Sequence, residues 1–280
     1  MNILTFDVED WYNSDFKSKS QHWDKYEVRI YDGLEKILVE LESRQIKATF
    51  FCLGWIAQKH PDIVKIINSQ GHHIGCHSYQ HDLIPNMNQK SFREDTERAK
   101  KIIEDLIGES IDAYRAPGFS ITKNTIWALE ILSELGFKFD CSFFPGSHDY
   151  GGFTDYKKAK PALIKLGNGA CLKEFPVNCK DIFGKKIVFS GGGFFRLFPY
   201  PLIKYWSKNS DYIMTYFHSR DFDSEQPMLD SLPLKRKFKS YVGLSRSFAK
   251  FKLFLDHFSF LNIIDADKKV NWENVDVLEF

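Results

Sequence analysis

The sequence predicts an α/β protein in which parallel strands are covered by helices. Short apolar runs alternate with amphipathic helical patterns, and the links between them are short. Polar side chains suited to chemistry follow several of the runs, among them Asp7, His77, Arg115 and Asp140. Because the carboxyl ends of parallel strands meet at one edge, where active sites gather, the pattern predicts both a fold class and the position of a site.

The first half of the chain shows this alternation most clearly. Asp32 with Glu35 has the form of a capping box, so a helix is expected to begin there. Pro61 and Gly71 have the character of a helix start and a helix stop. Further helices are predicted at residues 91–107 and 124–135. The strands are predicted at residues 2–6, 48–53, 73–76, 111–114 and 137–141.

From residue 160 the pattern changes, although no linker divides the chain and one domain over residues 1–280 is expected. Asn168-Gly169 predicts a β-hairpin turn. The glycine-rich run 190–196 lacks the spacing of a phosphate-binding loop, so it predicts a tight turn or a close approach of backbone to a ligand. The remaining predictions are strands at 212–217 and 261–264 and basic, phenylalanine-rich helices within 235–258.

Composition excludes several classes of protein. With 280 residues, 43% of them hydrophobic, the chain is long enough for a large buried core. A net charge of +1 gives no reason to expect a nucleic-acid partner. The five cysteines show no CxxC spacing, which indicates free thiols and no disulfide framework. Since neither a signal peptide nor an apolar run of membrane-spanning length is evident, a cytoplasmic location is expected.

Three carboxylates, Asp7, Glu9 and Asp10, lie at the end of the first predicted strand. Like charges this close repel each other, and burial raises their pKa values unless a cation or an arginine compensates. His77 and His81 are spaced i, i+4, which in a wound turn brings both imidazoles to one side, as a single metal ion requires. With one carboxylate they form the open ligand set of a catalytic zinc site. The cluster therefore predicts a metal-dependent hydrolase.

Four ordered motifs resemble those of the NodB-homology polysaccharide deacetylases, which are carbohydrate esterase family 4. They are TFDVED at residues 5–10, HSYQH at 77–81, RAPG at 115–118 and Phe217-His218. Further segments, including residues 191–197, resemble the branch found in exopolysaccharide and surface-glycan loci. The resemblance covers nearly the whole chain. It implies an irregular, incomplete (β/α) barrel with a C-terminal helical extension, and hydrolysis of N-acetyl groups from amino sugars.

The resemblance also implies a role for each matching residue. Asp7 resembles the catalytic base that activates water, and Arg115 resembles the arginine that orients this base. His218 resembles the general acid that protonates the leaving amine. His77 and His81 resemble the two histidine ligands of the metal ion, for which Zn²⁺ is the preferred identity.

The third metal ligand departs from the family pattern. Many members have adjacent aspartates, whereas this chain has Asp7-Val8-Glu9-Asp10. In an extended strand the side chains alternate, so Glu9 shares the face of Asp7 and Asp10 points away. Glu9 is therefore the preferred third ligand, and Asp10 is the alternative.

Aromatic residues are abundant, at 16% of the chain, and aromatic faces are surfaces on which sugar rings stack. Trp11, Phe194 and Phe195 are predicted to contact substrate on this ground. For each of them, packing in the core is the competing interpretation.

These observations predict a deacetylase acting on an N-acetylated surface polysaccharide or its precursor. The alternatives are hydrolysis of a C–N bond in a non-sugar amide, and a catalytically silent barrel that binds glycans. The complete set of motif residues argues against the silent protein. The basic segment 235–252 predicts either an amphipathic helix packed on the barrel or a weak association with an anionic inner-membrane surface.

Overall fold

The computed structural model describes residues 1–13, 20–153, 156, 159–182, 184–229 and 232–280. Its strands are β1 (Asn2–Ile3), β2 (Thr5–Val8), β3 (Thr49–Cys52), β4 (His73–Cys76), β5 (Ala113–Tyr114), β6 (Phe139–Asp140), β7 (Ala162–Lys165), β8 (Cys171–Glu174), β9 (Lys180–Ile182), β10 (Lys185–Ile187), β11 (Ile213–Met214), β12 (Phe217–His218) and β13 (Asp276–Glu279).

The α-helices are α1 (Ile30–Ser43), α2 (Gly54–Lys59), α3 (Pro61–Ser69), α4 (Gln89–Ile107), α5 (Trp127–Glu134), α6 (Gly192–Leu197), α7 (Tyr200–Lys208), α8 (Leu234–Tyr241), α9 (Leu244–His257) and α10 (Ile263–Asp267). Short 3₁₀ turns lie at Ser20–Lys25, Ile84–Asn86, Pro117–Phe119, Lys123–Thr125, Ser219–Phe222 and Trp272–Asn274.

A single large sheet organises the molecule. Within the described residues its order is β12-β2-β3-β4-β5-β6-β8-β7-β13, and all neighbours are parallel except the β7–β8 hairpin. The sheet does not close, because β12 and β13 are its two edges in the described part of the chain. This arrangement confirms the predicted α/β class and its incomplete barrel.

Register within the sheet brings Asp7 and His218 together at the carboxyl ends of their strands. The rings of Phe6 and Phe50 stack in the core, with 4.8 Å between their centroids. This contact fixes the position of β2 relative to β3, and so the position of Asp7, the next residue on β2. Asp7 pairs in register with His218 on one side and with Phe51 on the other. The carboxyl ends of β2 and β12 therefore bring together residues that are more than 200 positions apart in sequence.

Helix α1 covers this edge and differs from its prediction. The expected capping box at Asp32 is wrong, because the helix begins at Ile30 and Asp32 lies in its first turn. The carboxylate that accepts hydrogen bonds from the first backbone amides comes instead from Asp10. Gly33 lets α1 approach the turn after β12, since a Cβ at this position would overlap the carbonyl oxygen of Ser219.

The second half of the chain contains the largest differences from prediction. The hairpin is confirmed as β7–β8, but the predicted strand at 261–264 is wrong, since Asn262 caps helix α10. The glycine-rich run becomes the start of α6, and its close approach is to the protein's own backbone. A Cβ on Gly191 would overlap the carbonyl oxygen of Tyr216. Strands β9, β10 and β13 were not predicted.

The basic region near the C-terminus forms two helices of different character. On α9, Phe251 and Phe254 are fully buried against the sheet, as the amphipathic interpretation predicts. Helix α8 has no buried residue. In the part of the chain that the structure describes, none of the helices combines the length and the apolar character needed to span a membrane.

Candidate active site

Asp7 is the centre of the buried cluster at the carboxyl edge of the sheet. Its Oδ1 accepts a hydrogen bond from Arg115 Nη1 at 2.7 Å, and the Arg115 side chain is fully buried. Arg115 Nη2 donates to Thr5 Oγ1 at 2.8 Å, and the guanidinium lies 4.2 Å from the centre of the Phe51 ring. These contacts hold the guanidinium in place beside the Asp7 carboxylate, and its role in orienting a catalytic base stays a prediction.

The two predicted histidine ligands lie on a tight turn after β4. The His77 and His81 ring centroids are 5.0 Å apart. The turn is not helical, because Ser78 and His81 both have left-handed backbone angles, with φ of 66° and 55°. Asp95 of α4 stabilises this shape by accepting hydrogen bonds from the amides of residues 79 and 80, at 2.7 and 3.0 Å.

The tautomer of His77 is set by its neighbour. His77 Nδ1 lies 2.8 Å from the carbonyl oxygen of Arg115, which can only accept, so Nδ1 carries the proton. Burial lowers the pKa of His77 to about 4, although Asp7 opposes this shift. The ring is therefore neutral near pH 7, and its Nε2 is left as a lone-pair donor that faces Asp7 Oδ2 at 4.0 Å.

Glu9 completes a set of three groups suited to a cation. Among the described residues, the ligand atoms of Glu9, His77 and His81 all lie within 4.8 Å of one another. Glu9 Oε2 is 2.9 Å from His81 Nε2 and accepts no hydrogen bond in the described part of the chain. Burial would raise the pKa of Glu9, but the surrounding histidines, first His81 and then His218, hold it well below its usual range. The donor set fits a divalent metal ion.

Asp10, the alternative ligand, is occupied elsewhere. Its Oδ1 accepts from the amide of Trp11 at 2.7 Å, and its Oδ2 accepts from the amides of Arg29 and Ile30 at 2.8 and 3.0 Å. Burial raises the pKa of Asp10 to about 6, against the effect of these hydrogen bonds. Asp10 therefore anchors the start of α1 to the strand end, and its carboxylate points away from the histidines.

His218 lies at the entrance of the cluster with 21% of its side chain exposed. Its Nε2 is 3.8 Å from Asp7 Oδ2 and 3.6 Å from Glu9 Oε1. Its Nδ1 is 3.0 Å from Asp221 Oδ2, and Asp221 Oδ1 is 3.1 Å from Arg196 Nε. Burial would lower the pKa of His218, but Asp221, Glu9 and Asp7 raise it to about 9. The imidazolium form is thus favoured, as a proton donor requires.

Asp140 belongs to a second buried carboxyl pair beneath the site. It pairs in register with Glu174, and both side chains are fully buried. Asp140 Oδ1 accepts from Ser142 Oγ at 2.6 Å, and Glu174 Oε1 accepts from the amide of Phe143 at 3.1 Å. Burial and the facing Asp140 raise the pKa of Glu174 well above its ordinary value. We infer that the two carboxyl groups share a proton.

This shared proton gives a prediction about stability. The pKa of Glu174 in the folded protein lies above its ordinary value of 4.5. Its contribution to the free energy of unfolding is therefore complete below pH 4.5 and is lost as the pH rises through the folded pKa. Each unit of difference between the pKa values of the folded and unfolded states contributes about 1.4 kcal/mol to the free energy of unfolding. Glu174→Gln keeps a donor for Asp140 without a titrating proton. As the pH is raised from 4.5 toward neutral, we expect the variant to lose less stability than wild type in thermal unfolding measurements.

Glu94→Gln is the matched control for this experiment, because Glu94 lies on α4 with 66% of its side chain exposed. Its unfolding profile should follow wild type across the same pH range. Parallel profiles for Glu174→Gln and wild type would show that the buried pair holds no extra proton.

The predicted sugar-stacking residues have different surroundings. Trp11 is only 5% exposed, donates from Nε1 to the carbonyl oxygen of Glu27, and packs edge-on against Tyr26. Phe195 is fully buried between Phe217 and Phe254. These rings are therefore core residues in this structure, because their faces already contact other aromatic rings.

Phe194, the third predicted stacking residue, is partly exposed on α6 and stacks on Phe198, with ring centroids 5.9 Å apart. It keeps some accessible surface, in contrast to Trp11 and Phe195. Its contact with substrate stays a prediction.

Sequence reasoning missed the residues that hold the site in shape, namely Asp95, Asp221 and Arg196. Asp95 had a detectable signal, because it is an acid among the apolar positions Phe92, Ala99 and Ile103 on the buried face of α4. Asp221 lies three positions after His218, a spacing that suits a local hydrogen bond. Arg196 had no such signal, since its partner is distant in sequence.

Family comparison divides the chain near its middle. Residues 4–139 match the polysaccharide deacetylases, and residues 141–267 match a domain of unknown function, DUF3473. The first region contains Asp7, Glu9, His77, His81 and Arg115, whereas His218 lies in the second region. Both regions contribute strands to the same sheet.

Known proteins resemble the chain in sequence and in fold. A peptidoglycan-N-acetylglucosamine deacetylase of Bacillus cereus is 38% identical over 96 residues, which are 34% of this chain and 35% of that protein. A Mycobacterium smegmatis structure assigned as a polysaccharide deacetylase superposes with a TM-score of 0.67 at 19% identity, covering 100% of this chain and 92% of that one.

A CE4 family pseudoenzyme of Bacillus anthracis has the same fold, with a TM-score of 0.54 at 12% identity, covering 100% of this chain and 69% of that one. The chain thus has the fold of CE4 deacetylases, and it spans about a third of the length of the curated relative from B. cereus.

Proposed function

We propose that this protein is a metal-dependent deacetylase that removes N-acetyl groups from an amino sugar of a surface polysaccharide or of its precursor. The observation that supports this most directly is the environment of Asp7. One carboxylate oxygen is held by Arg115, while the other faces His77 Nε2 at 4.0 Å and His218 Nε2 at 3.8 Å. A carboxylate base and two imidazoles thus converge on one small volume, and the His218 side chain connects it to solvent with 21% exposure.

The chain's own residues supply both proton transfers of amide hydrolysis. Water is a poor nucleophile, and Asp7 Oδ2 is positioned to accept a proton from a water molecule as it attacks the acetyl carbon. Arg115 holds the carboxylate in this orientation. The amine cannot leave as an anion, so a proton must reach the sugar nitrogen. His218 Nε2 is the donor, because Asp221 holds Nδ1 and favours the protonated ring.

Glu9, His77 and His81 are the residues that would hold a metal ion. When bound, a divalent ion supplies Lewis-acid chemistry, polarising the acetyl oxygen and lowering the pKa of water toward about 7. We propose Zn²⁺, because two imidazoles and one carboxylate are the ligand set of open zinc sites. The tautomer of His77 already presents Nε2 to this position.

The substrate class follows from the relatives and from the shape of the edge. The B. cereus relative is named for peptidoglycan N-acetylglucosamine, which is an N-acetylated surface glycan. His218 is the exposed member of the cluster, so the sugar nitrogen approaches from its side. We propose an N-acetylated amino sugar as the substrate, and more specifically one that belongs to a surface glycan.

Release of acetate and free amine tests the proposal. The zinc-loaded protein is incubated with N-acetylglucosamine oligomers, peptidoglycan fragments and a simple N-alkyl acetamide. We expect acetate and amine in equal amounts from a glycan, and background release from the acetamide. Turnover of the acetamide alone would indicate a non-sugar amidase. Glycan binding without release from any compound would indicate a silent binding protein.

A further inference from the structure

Helix α8 presents an unusual surface to solvent. None of its eight residues is buried, and Leu234 and Phe238 are 87% and 57% exposed. They are four positions apart, so both lie on the same side of the helix. Two exposed large apolar side chains on one helix face are costly in water unless another surface covers them.

The same helix concentrates positive charge. Lys235, Arg236, Lys237 and Lys239 contribute four cations within eight residues, and the helix contains no acidic residue, whereas the whole chain has a net charge of +1. Lys239 lies 3.8 Å from Asp149, but both side chains are more than half exposed, so solvent and salt screen this pair. Arg236 and Lys237 also interact with other groups of the protein, so the charge available to a partner comes from the exposed Lys235 and Lys239.

Helix α8 is attached to the protein by its backbone. Arg196 donates from Nη1 to the carbonyl oxygen of Ser240 at 2.7 Å and from Nη2 to that of Lys239 at 3.0 Å. The same guanidinium contacts Asp221, which holds His218. The Tyr241 side chain adds to this attachment, since its hydroxyl accepts a hydrogen bond from the amide of Leu229 at 2.8 Å. Because these contacts lie at the C-terminal end of the helix, they leave the side chains of Leu234 and Phe238 exposed.

We propose that helix α8 docks the protein onto an anionic lipid surface. In this arrangement Leu234 and Phe238 enter the interface between headgroups and acyl chains, while the neighbouring lysines contact lipid phosphates. An amphipathic helix with cations beside exposed apolar side chains has the character of an interfacial helix. A polyanion alone would pair with the lysines but would leave the apolar pair in water, so a lipid surface suits the whole patch better.

Co-sedimentation of the full chain with vesicles tests the proposal without relying on the proposed activity. We expect binding to phosphatidylcholine vesicles that contain ~30% phosphatidylglycerol, and much weaker binding to pure phosphatidylcholine. Raising the salt from about 0.05 to 0.5 M should reduce binding, because exposed charges are then screened. Lys235→Gln with Lys239→Gln should weaken partitioning about thirty-fold, since each cation near the surface contributes roughly five-fold.

Leu234→Ser with Phe238→Ser should also weaken binding while leaving the net charge unchanged. The matched apolar control is Val39→Ser with Tyr205→Ser, at side chains 57% and 63% exposed on other helices.

The matched cationic control is Lys90→Gln with Lys101→Gln on α4, where both lysines are largely exposed. All variants change exposed positions, and unfolding curves confirm their folding.

Three results would overturn the docking proposal. The first is an absence of binding to anionic vesicles at low salt. The second is equal loss in the control variants, which would assign binding to overall charge. The third is loss on lysine replacement but not on replacement of Leu234 and Phe238, which would show that the apolar pair does not enter the lipid surface. Because the vesicles contain no sugar substrate, a negative result in this assay does not affect the deacetylase proposal. Likewise, a lack of deacetylase activity would not affect the docking proposal.

Discussion

Replacing Asp7 with asparagine should reduce kcat by about 10²–10⁴-fold, because the amide cannot accept the proton of the attacking water. The variant should still bind metal, since Asp7 lies outside the group formed by Glu9, His77 and His81. It should also unfold at a lower temperature than wild type. Arg115 is fully buried, and a buried charge that loses its partner costs about 3–5 kcal/mol. Steady-state kinetics, elemental analysis and thermal unfolding measure the three effects.

Asp112→Asn is the matched control for Asp7→Asn. Asp112 directly precedes β5 and contacts His73 and Lys138 at the amino ends of the strands, away from the site. Its replacement should leave kcat near that of wild type. If Asp7→Asn turned over substrate at a rate close to wild type while remaining folded, a different group would have to be the base.

Replacing His77 or His81 with alanine should abolish stoichiometric binding of zinc, because two protein ligands make a poor site where three made a good one. Activity should fall to background in both variants. Glu9→Ala should have the same effect. Asp10→Ala should retain zinc and lose about 1 kcal/mol of stability instead, since Asp10 caps α1. Elemental analysis after gel filtration of zinc-loaded protein provides the measurement.

His73→Ala is the control for the metal experiment, because His73 lies at the other end of β4 and contacts Thr49 and Asp112. It should bind as much zinc as wild type. Full occupancy in His77→Ala and His81→Ala would refute the assignment of both ligands. Loss of zinc in Asp10→Ala but not in Glu9→Ala would reverse the choice of the third ligand.

The sequence predicts the parts of the site that depend on local order along the chain. Alternation of apolar runs and helices indicates which residues follow strands, and parallel pairing then brings those residues to one edge. Asp7, His77 and Arg115 meet for this reason. Glu9 was preferred over Asp10 by the alternation of side chains in a strand, and the structure places Glu9 beside the histidines although β2 ends at Val8.

Contacts between distant segments that do not follow from the order of the strands were beyond sequence reasoning. The start of α1 was misplaced because its capping carboxylate comes from Asp10, and a capping box nearby in sequence was the only visible candidate. Arg196 reaches Asp221 through packing of α6 against the end of α8, which leaves no periodic pattern in the chain. The burial of Phe195 could not be predicted for the same reason, since it depends on Phe217 and Phe254.

The pairing of β12 with β2 divides the chemistry between two inherited segments. In the proposed mechanism, the residues that activate water lie within residues 4–139, whereas the proposed proton donor His218 and its partner Asp221 lie within 141–267. Loss of turnover can therefore arise through substitutions confined to the second segment while every motif of the first stays intact. A sequence match confined to the first segment therefore carries no information about the group proposed to expel the amine, which comes from the strand that lies beside β2.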